Sequence, residues 1–217
     1  MAQLIQDIKP RGDDSAYVLA PFDEAKAVLE ANNYRVISLE ENAGLRIQEG
    51  RNEDISRNEN WTREGFLCLP DKRICLTKSS PIMENPKEAT DCHRQEKDFY
   101  LTPEQVEKSL ADSVEIKDKK IPTNRFGENE LTVYAFGEVA KQYGEFLKEA
   151  GIEEMPVRLA DVQDKPFARQ LWFRNLGLRS ELIGDRYLGY WYLNYYNRVR
   201  GVRGSNAEGT QKISFER

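Results

Sequence analysis

Apolar residues in this chain come in short runs, and each run stops at a breaker. Ala16-Tyr17-Val18-Leu19-Ala20 ends at Pro21, Tyr34-Arg35-Val36-Ile37 at Ser38, and Leu131-Thr132-Val133-Tyr134-Ala135-Phe136 at Gly137. Short runs rich in β-branched and aromatic residues, bounded in this way, predict strands. Beyond the breakers the period changes. Pro21 opens a helix with Ala25, Val28 and Leu29 on one face, closed by Asn32-Asn33. Residues 138–150 repeat the pattern with Val139, Tyr143, Phe146, Leu147 and Ala150 on one face and Gly151 at the stop. Strand, breaker, helix and strand therefore succeed one another over 16–37 and again over 131–160, where Val157-Arg158-Leu159-Ala160 reads as the closing strand. The expected class is α+β or α/β: a small mixed sheet covered by about five to six helices.

Local signals fill in the rest. Ser38 and Glu41 form a capping box ahead of a helix over 39–48, and Thr102-Pro103-Glu104-Gln105 starts another, with Val106, Leu110 and Val114 behind it. Two apolar runs around Pro70-Asp71 predict a β-hairpin over 65–77. Residues 50–64 and 78–98 read as exposed loops, the second with at most one helical turn. Pro166 predicts a helix carrying Phe167, Leu171 and Trp172, and Asp185 caps a last helix reaching about Arg200. The expected organisation is a flexible leader (1–15), one domain (16–200, with any sub-boundary near 100) and a flexible tail (201–217).

Several function classes fall away. Of the 217 residues 39% are hydrophobic, enough for a core. A mean hydropathy of −0.72 goes with the lack of any membrane-length apolar run. The first residues lack the basic and apolar regions of a secretory signal, and three cysteines are an odd, low count, so a cytoplasmic location is expected. No G-x-G-x-x-G, G-x-x-x-x-G-K-[ST] or G-x-S-x-G motif occurs. A turn centred on Asp71-Lys72 would set Cys68 and Cys75 opposite each other on one face, with Cys92 and His93 further on. The spacing C-x6-C-x16-C-H is foreign to structural zinc sites, so these residues read as small core side chains, and neither metal nor cofactor is expected. Glu115-Ile116-Lys117 has the E-x-K form of metal-dependent nucleases, with Asp71 as a partner carboxylate. A divalent-metal phosphodiesterase is therefore one alternative, and Asp161, Asp164 and Lys165 are a similar trio.

Charge singles out the C-terminal part. The formal net charge is −5, yet residues 165–217 carry ten basic and four acidic side chains. Within 185–204 lie five of the ten tyrosines, one of the three tryptophans and four arginines. Arginine forks bind phosphates, and aromatic faces stack on unpaired bases. The leading expectation is a nucleic-acid-associated protein binding DNA or RNA through a C-terminal basic, aromatic helix, with Arg186, Arg198, Arg200 and Arg203 on phosphates and Tyr190 stacking. Two other readings compete. A basic segment can dock on its own acidic body, and the aromatic face of 187–199 can be buried in a core, a partner protein or a second copy.

Overall fold

The computed structural model describes residues 2–8, 14–184, 193 and 197–203. Arg186 and Tyr190 lie outside them. In chain order the elements are β1 (Leu4–Ile8), β2 (Asp14–Ala20), α1 (Phe22–Ala31), β3 (Tyr34–Val36), α2 (Leu39–Glu49) and the single turn α3 (Asp54–Arg57). The middle of the chain supplies β4 (Asn60–Cys68), β5 (Ile74–Thr77), α4 (Pro86–Arg94), β6 (Phe99–Tyr100), α5 (Pro103–Ala111), β7 (Ser113–Glu115) and β8 (Lys120–Pro122). Then come α6 (Glu130–Phe136), α7 (Ala140–Glu149), β9 (Glu154–Arg158), β10 (Phe167–Phe173), β11 (Leu182–Ile183) and β12 (Asn197–Arg203). The class is mixed α+β. One open sheet runs β1-β2-β12-β4-β10-β11-β9-β8, with β3 beside β12, β5 between β4 and β7, and β6 on β10. The β12–β4 and β11–β9 pairings are parallel, the others antiparallel.

The local signals hold where they are chemical. Ser38 and Thr102 cap α2 and α5 as full capping boxes with Glu41 and Gln105. The hairpin forms from β4 and β5, and α1 and α7 run along the expected faces.

Several readings are corrected. The leader contains β1, which pairs with β2 from Leu4↔Val18 to Ile8↔Asp14; five residues carrying Gln6 and Asp7 are too short and polar to announce a strand alone. The stretch after Pro166 is a strand: all seven residues of β10 are buried between β4, β6 and β11, which removes the alternation that marks a half-exposed strand. Leu131–Phe136 is helical, because the Asn129 side chain accepts the N–H groups of Leu131 and Thr132 and outweighs the β-branched composition. Residues 86–94 form a nine-residue helix rather than a loop, and the loop expected at 50–64 contains α3 and the start of β4. The last helix does not reach Arg200: Asn197–Arg203 is β12, lying between β2 and β4. Of the expected tail, 201–203 belong to that strand and 204–217 lie outside the described residues.

Two cores lie on opposite faces of the sheet. One packs Ala16, Val18, Ala20 and Val199 against Phe22, Ala25 and Leu29 of α1, together with Trp61 and Trp172. The other packs Phe66, Leu171 and Phe173 against α2, α6 and α7. Gly201 is needed at the crossing of α1 and β12, where a Cβ would sit 2.9 Å from Leu29 Cδ2 and 3.0 Å from Tyr34 Cβ. Arg46 of α2 is fully buried in the second core. Its guanidinium donates to Tyr143 Oη (3.0 Å), Ser180 Oγ (3.1 Å) and the carbonyls of Ile55 and Arg174 (3.2 and 2.9 Å), and lies 4.0 Å from the centre of the Phe173 ring. It ties α2, α3, α7 and the β10–β11 connection into one body.

Candidate recognition surface

The register of β1, β2 and β12 sorts their side chains. Ala16, Val18, Ala20 and Val199 point to α1, so their neighbours point the other way. Ile5, Tyr17 and Arg200 stand in one row across the three strands, and Leu19 and Arg198 in the next. The far end of this face is covered: Val202 packs on Ile37, Leu45 and Ile55 from below α2 and α3. The near end is open. Leu19 is 43% exposed and Ile5 37%. Between them the Arg198 guanidinium lies 3.8 Å from the centre of the Tyr17 ring, a stacked cation.

Asp54, in α3, fixes both arginines. Its Oδ2 accepts from Arg198 Nη1 at 2.5 Å and from Arg200 Nη2, while Oδ1 accepts from Asn58 Nδ2 at 2.8 Å. Arg200 also donates to Ser15 Oγ and is 1% exposed. Tyr17, Leu19, Ile5 and Asp54 carry this surface, and the sequence reading missed all four. Tyr17 and Leu19 had a signal, the alternation of large and small residues over 16–20; Asp54 had none.

Three of the four expected phosphate-binding arginines lie among the described residues. Arg198 and Arg200 share Asp54, so a phosphate would have to displace that carboxylate. Arg203 is exposed at the end of β12, its guanidinium 5.4 Å from the centre of the Tyr34 ring. Upstream, Arg169 pairs with Asp98 in a buried ion pair, Arg174 with Glu181, and Arg179 approaches Glu154 at 4.0 Å. Much of the basic charge of the C-terminal part is thus taken up by acidic groups of the same molecule.

The segment 185–196 enters between β11 and β12. Its one described residue, Leu193, is fully buried. The Leu193 carbonyl accepts the Phe22 N–H at 2.7 Å, and its own N–H donates to His93 Nδ1 at 3.3 Å. The single histidine of the chain therefore holds backbone.

The remaining candidates for chemistry are spread apart. The β4–β5 register pairs Cys68 with Ile74 and Leu67 with Cys75. One step from the expected register, the two thiols fall on opposite faces, Cys68 in one core and Cys75 in the other. Burial pushes the Cys68 thiol up to about 12 and raises Cys75 as well, so both are poor thiolates. Lys117 pairs with Glu130 at 3.0 Å and Asp71 with Arg73 at 2.7 Å, so each expected partner of Glu115 is engaged in an ion pair of its own. Among the described residues no three His, Cys, Asp or Glu side chains converge as a metal site. Glu64 is the unusual acid. Fully buried in β4, it accepts the Leu39 N–H at the start of α2 (3.0 Å), and its other oxygen is 4.0 Å from Arg63 Nε. Burial pushes its carboxyl up to about 7, against the pull of the Leu39 N–H, Arg63 and the Thr62 hydroxyl.

No helix among the described residues is long and apolar enough to cross a membrane. No family model matches the chain. No curated protein matches it either. A solved structure described as "Accommodation of massive sequence variation in Nanoarchaeota by the C-type lectin fold" superimposes with a TM-score of 0.66 at 16% identity, covering 91% of this chain and 100% of that one. At that identity the likeness concerns backbone architecture alone: the chain is similar to a structure described as having the C-type lectin fold.

Proposed function

We propose that this protein is a recognition module that binds a protein partner through the open end of the β1–β2–β12 face and the aromatic segment that leads into it. The observation that carries this reading is the Ile5–Tyr17–Leu19–Arg198 surface: exposed apolar side chains around a tyrosine on which a tethered arginine is stacked. Tyrosine and arginine dominate the energetics of protein interfaces, and an arginine already held in place loses little freedom on binding. Immediately before Arg198 the sequence places Tyr187, Tyr190, Trp191, Tyr192, Tyr195 and Tyr196 among Asn, Gly and Arg, a composition shared with antibody binding loops. The similar structure is described as one in which the C-type lectin fold accommodates massive sequence variation. A scaffold that keeps its shape while its surface changes suits recognition.

The partner expected is a protein contacting through apolar side chains, because Asp54 offsets arginine charge at the surface. The test compares wild type with Leu19→Asp and Tyr17→Ala in three measurements: light scattering, affinity capture with crosslinking, and anisotropy on labelled single- and double-stranded DNA and RNA at low and raised salt. A partner held by wild type at raised salt and lost by both folded variants supports the reading. Self-association lost in the same variants makes the partner a second copy. Binding to DNA or RNA that falls steeply with salt and is lost in Arg203→Ala overturns it in favour of a nucleic-acid interface.

A further inference from the structure

The contact between His93 and Leu193 has a chemical consequence. A backbone N–H can only donate, so the ring nitrogen facing it must be unprotonated. His93 is 5% exposed on the inner face of α4, and its Nδ1 faces the Leu193 N–H at 3.3 Å. That geometry requires the proton of the neutral ring to sit on Nε2. A charged imidazolium carries a proton on both nitrogens, and two donors would then point at each other in a buried site. We propose that His93 is a pH-sensitive pin: its neutral ring holds Leu193, inside the aromatic segment, and its protonated ring does not. The link to partner binding rests on the recognition reading above; the pin itself does not.

Charged groups surround this histidine on the elements packed against it. On its own helix Asp91 pairs with Arg94 at 2.6 Å and lies 3.7 Å from Lys87. From α1, which packs on α4, Asp23 and Glu24 occupy the first turn, with Glu24 4.0 Å from Arg94. Glu96 and Lys97 come just after the helix. Ahead of β6, Asp98 is buried against Arg169 and Gln163. A histidine ordinarily titrates between pH 5 and 8. The second tie on Leu193, from the Phe22 N–H to its carbonyl, joins two backbone groups and does not titrate. Acid therefore loosens one of the two described hydrogen bonds on this residue and leaves the other.

The experiment uses the free full-length protein. As this is the single histidine of the chain, its imidazole gives one nitrogen-15 signal set. The expected tautomer at neutral pH carries the proton on Nε2. Below the ordinary histidine pKa, about 6.5, hydrogen exchange at the Leu193 amide, corrected for intrinsic rate, should lose about tenfold of its protection per pH unit until the open state dominates. In His93→Gln the amide oxygen accepts the same N–H without titrating, so protection should stay level. A neutral ring protonated on Nδ1, or a Leu193 amide whose protection is independent of pH in wild type, overturns the proposal. Equal pH profiles in wild type and a folded His93→Gln overturn it as well. None of these readouts involves a partner, so failure of the recognition reading would show in Leu19→Asp and failure of the pin in Leu193.

Discussion

Replacing Glu64 by glutamine should remove a pH dependence of stability that runs against the usual acid destabilisation of proteins. The carboxyl is fully buried and its folded value is pushed up to about 7, whereas an unperturbed glutamate titrates at 4.5. Between those two values the folded protein keeps a proton that the unfolded chain has released. The stabilisation is complete below pH 4.5, declines as pH rises through the window and is gone above about 7. At about 1.4 kcal/mol per pH unit, that window is worth about 3 kcal/mol. Glutamine keeps a carbonyl to accept the Leu39 N–H and has no charge to desolvate. Urea unfolding of wild type and Glu64→Gln at pH 5 and pH 8 separates this group from all others, since they cancel in the difference. The variant should gain about 2–3 kcal/mol on wild type between the two pH values, with an unchanged m value. A difference that is the same at both pH values would refute the reasoning, and would mean that Arg63, 4.0 Å away, compensates the buried charge in full.

The remaining predictions concern fixed features. Arg46→Ala deletes four hydrogen bonds and leaves a cavity beside Phe173, so denaturant unfolding should register a loss of about 3–5 kcal/mol. Asp54→Ala leaves the buried Arg200 without this carboxylate and should cost about 3–5 kcal/mol by the same assay, whereas removing the exposed Arg203 should cost little. Gly65→Ala puts a Cβ 2.5 Å from Ser80 Oγ and 2.7 Å from the Arg169 carbonyl, and should lower stability by about 1–3 kcal/mol through overpacking. With an alkylating reagent at pH 8 the half-buried Cys92 should react first, because burial raises the thiols of Cys68 and Cys75 and shields both; mass spectrometry of the labelled native protein reads the order.

What the sequence showed of the fold was local, and what it hid was made by distant pairing. Ser38–Glu41 and Thr102–Gln105 are contacts three residues apart, and both caps formed. The strand β10 was hidden because its seven residues meet β4, β6 and β11, from 113 positions away in one direction to nine in another. Buried on both faces, Phe167-Ala168-Arg169-Gln170-Leu171-Trp172-Phe173 needs no alternation, and its polar members are satisfied by remote groups: Arg169 by Asp98, Gln170 by the carbonyls of Thr62 and Glu64. A seven-residue window contains none of those partners, and the apolar residues left in it fit a helical spacing equally well.

The C-terminal arginines posed the same problem in charge. Counted along the chain, residues 165–217 form a basic block on an acidic body. Counted in space, the described part of that block is threaded through acids drawn from elsewhere, with Asp54 taking two guanidinia that lie 144 and 146 residues further on. Charge asymmetry in a sequence separates an external polyanion from an internal acid only when the basic residues stay at the surface, and Arg200 and Arg169 do not. The hydrophobic counterpart is more legible. In Ala16-Tyr17-Val18-Leu19-Ala20 the small and branched residues alternate with two large ones, a signal that sets Tyr17 and Leu19 on the face away from α1. A large apolar residue on the outer face of a two-sided strand calls for something to cover it. Here α3 covers the end nearer Val202, and at the other end Leu19 and Ile5 are exposed. That open end, more than the arginine count, is why we propose a protein partner.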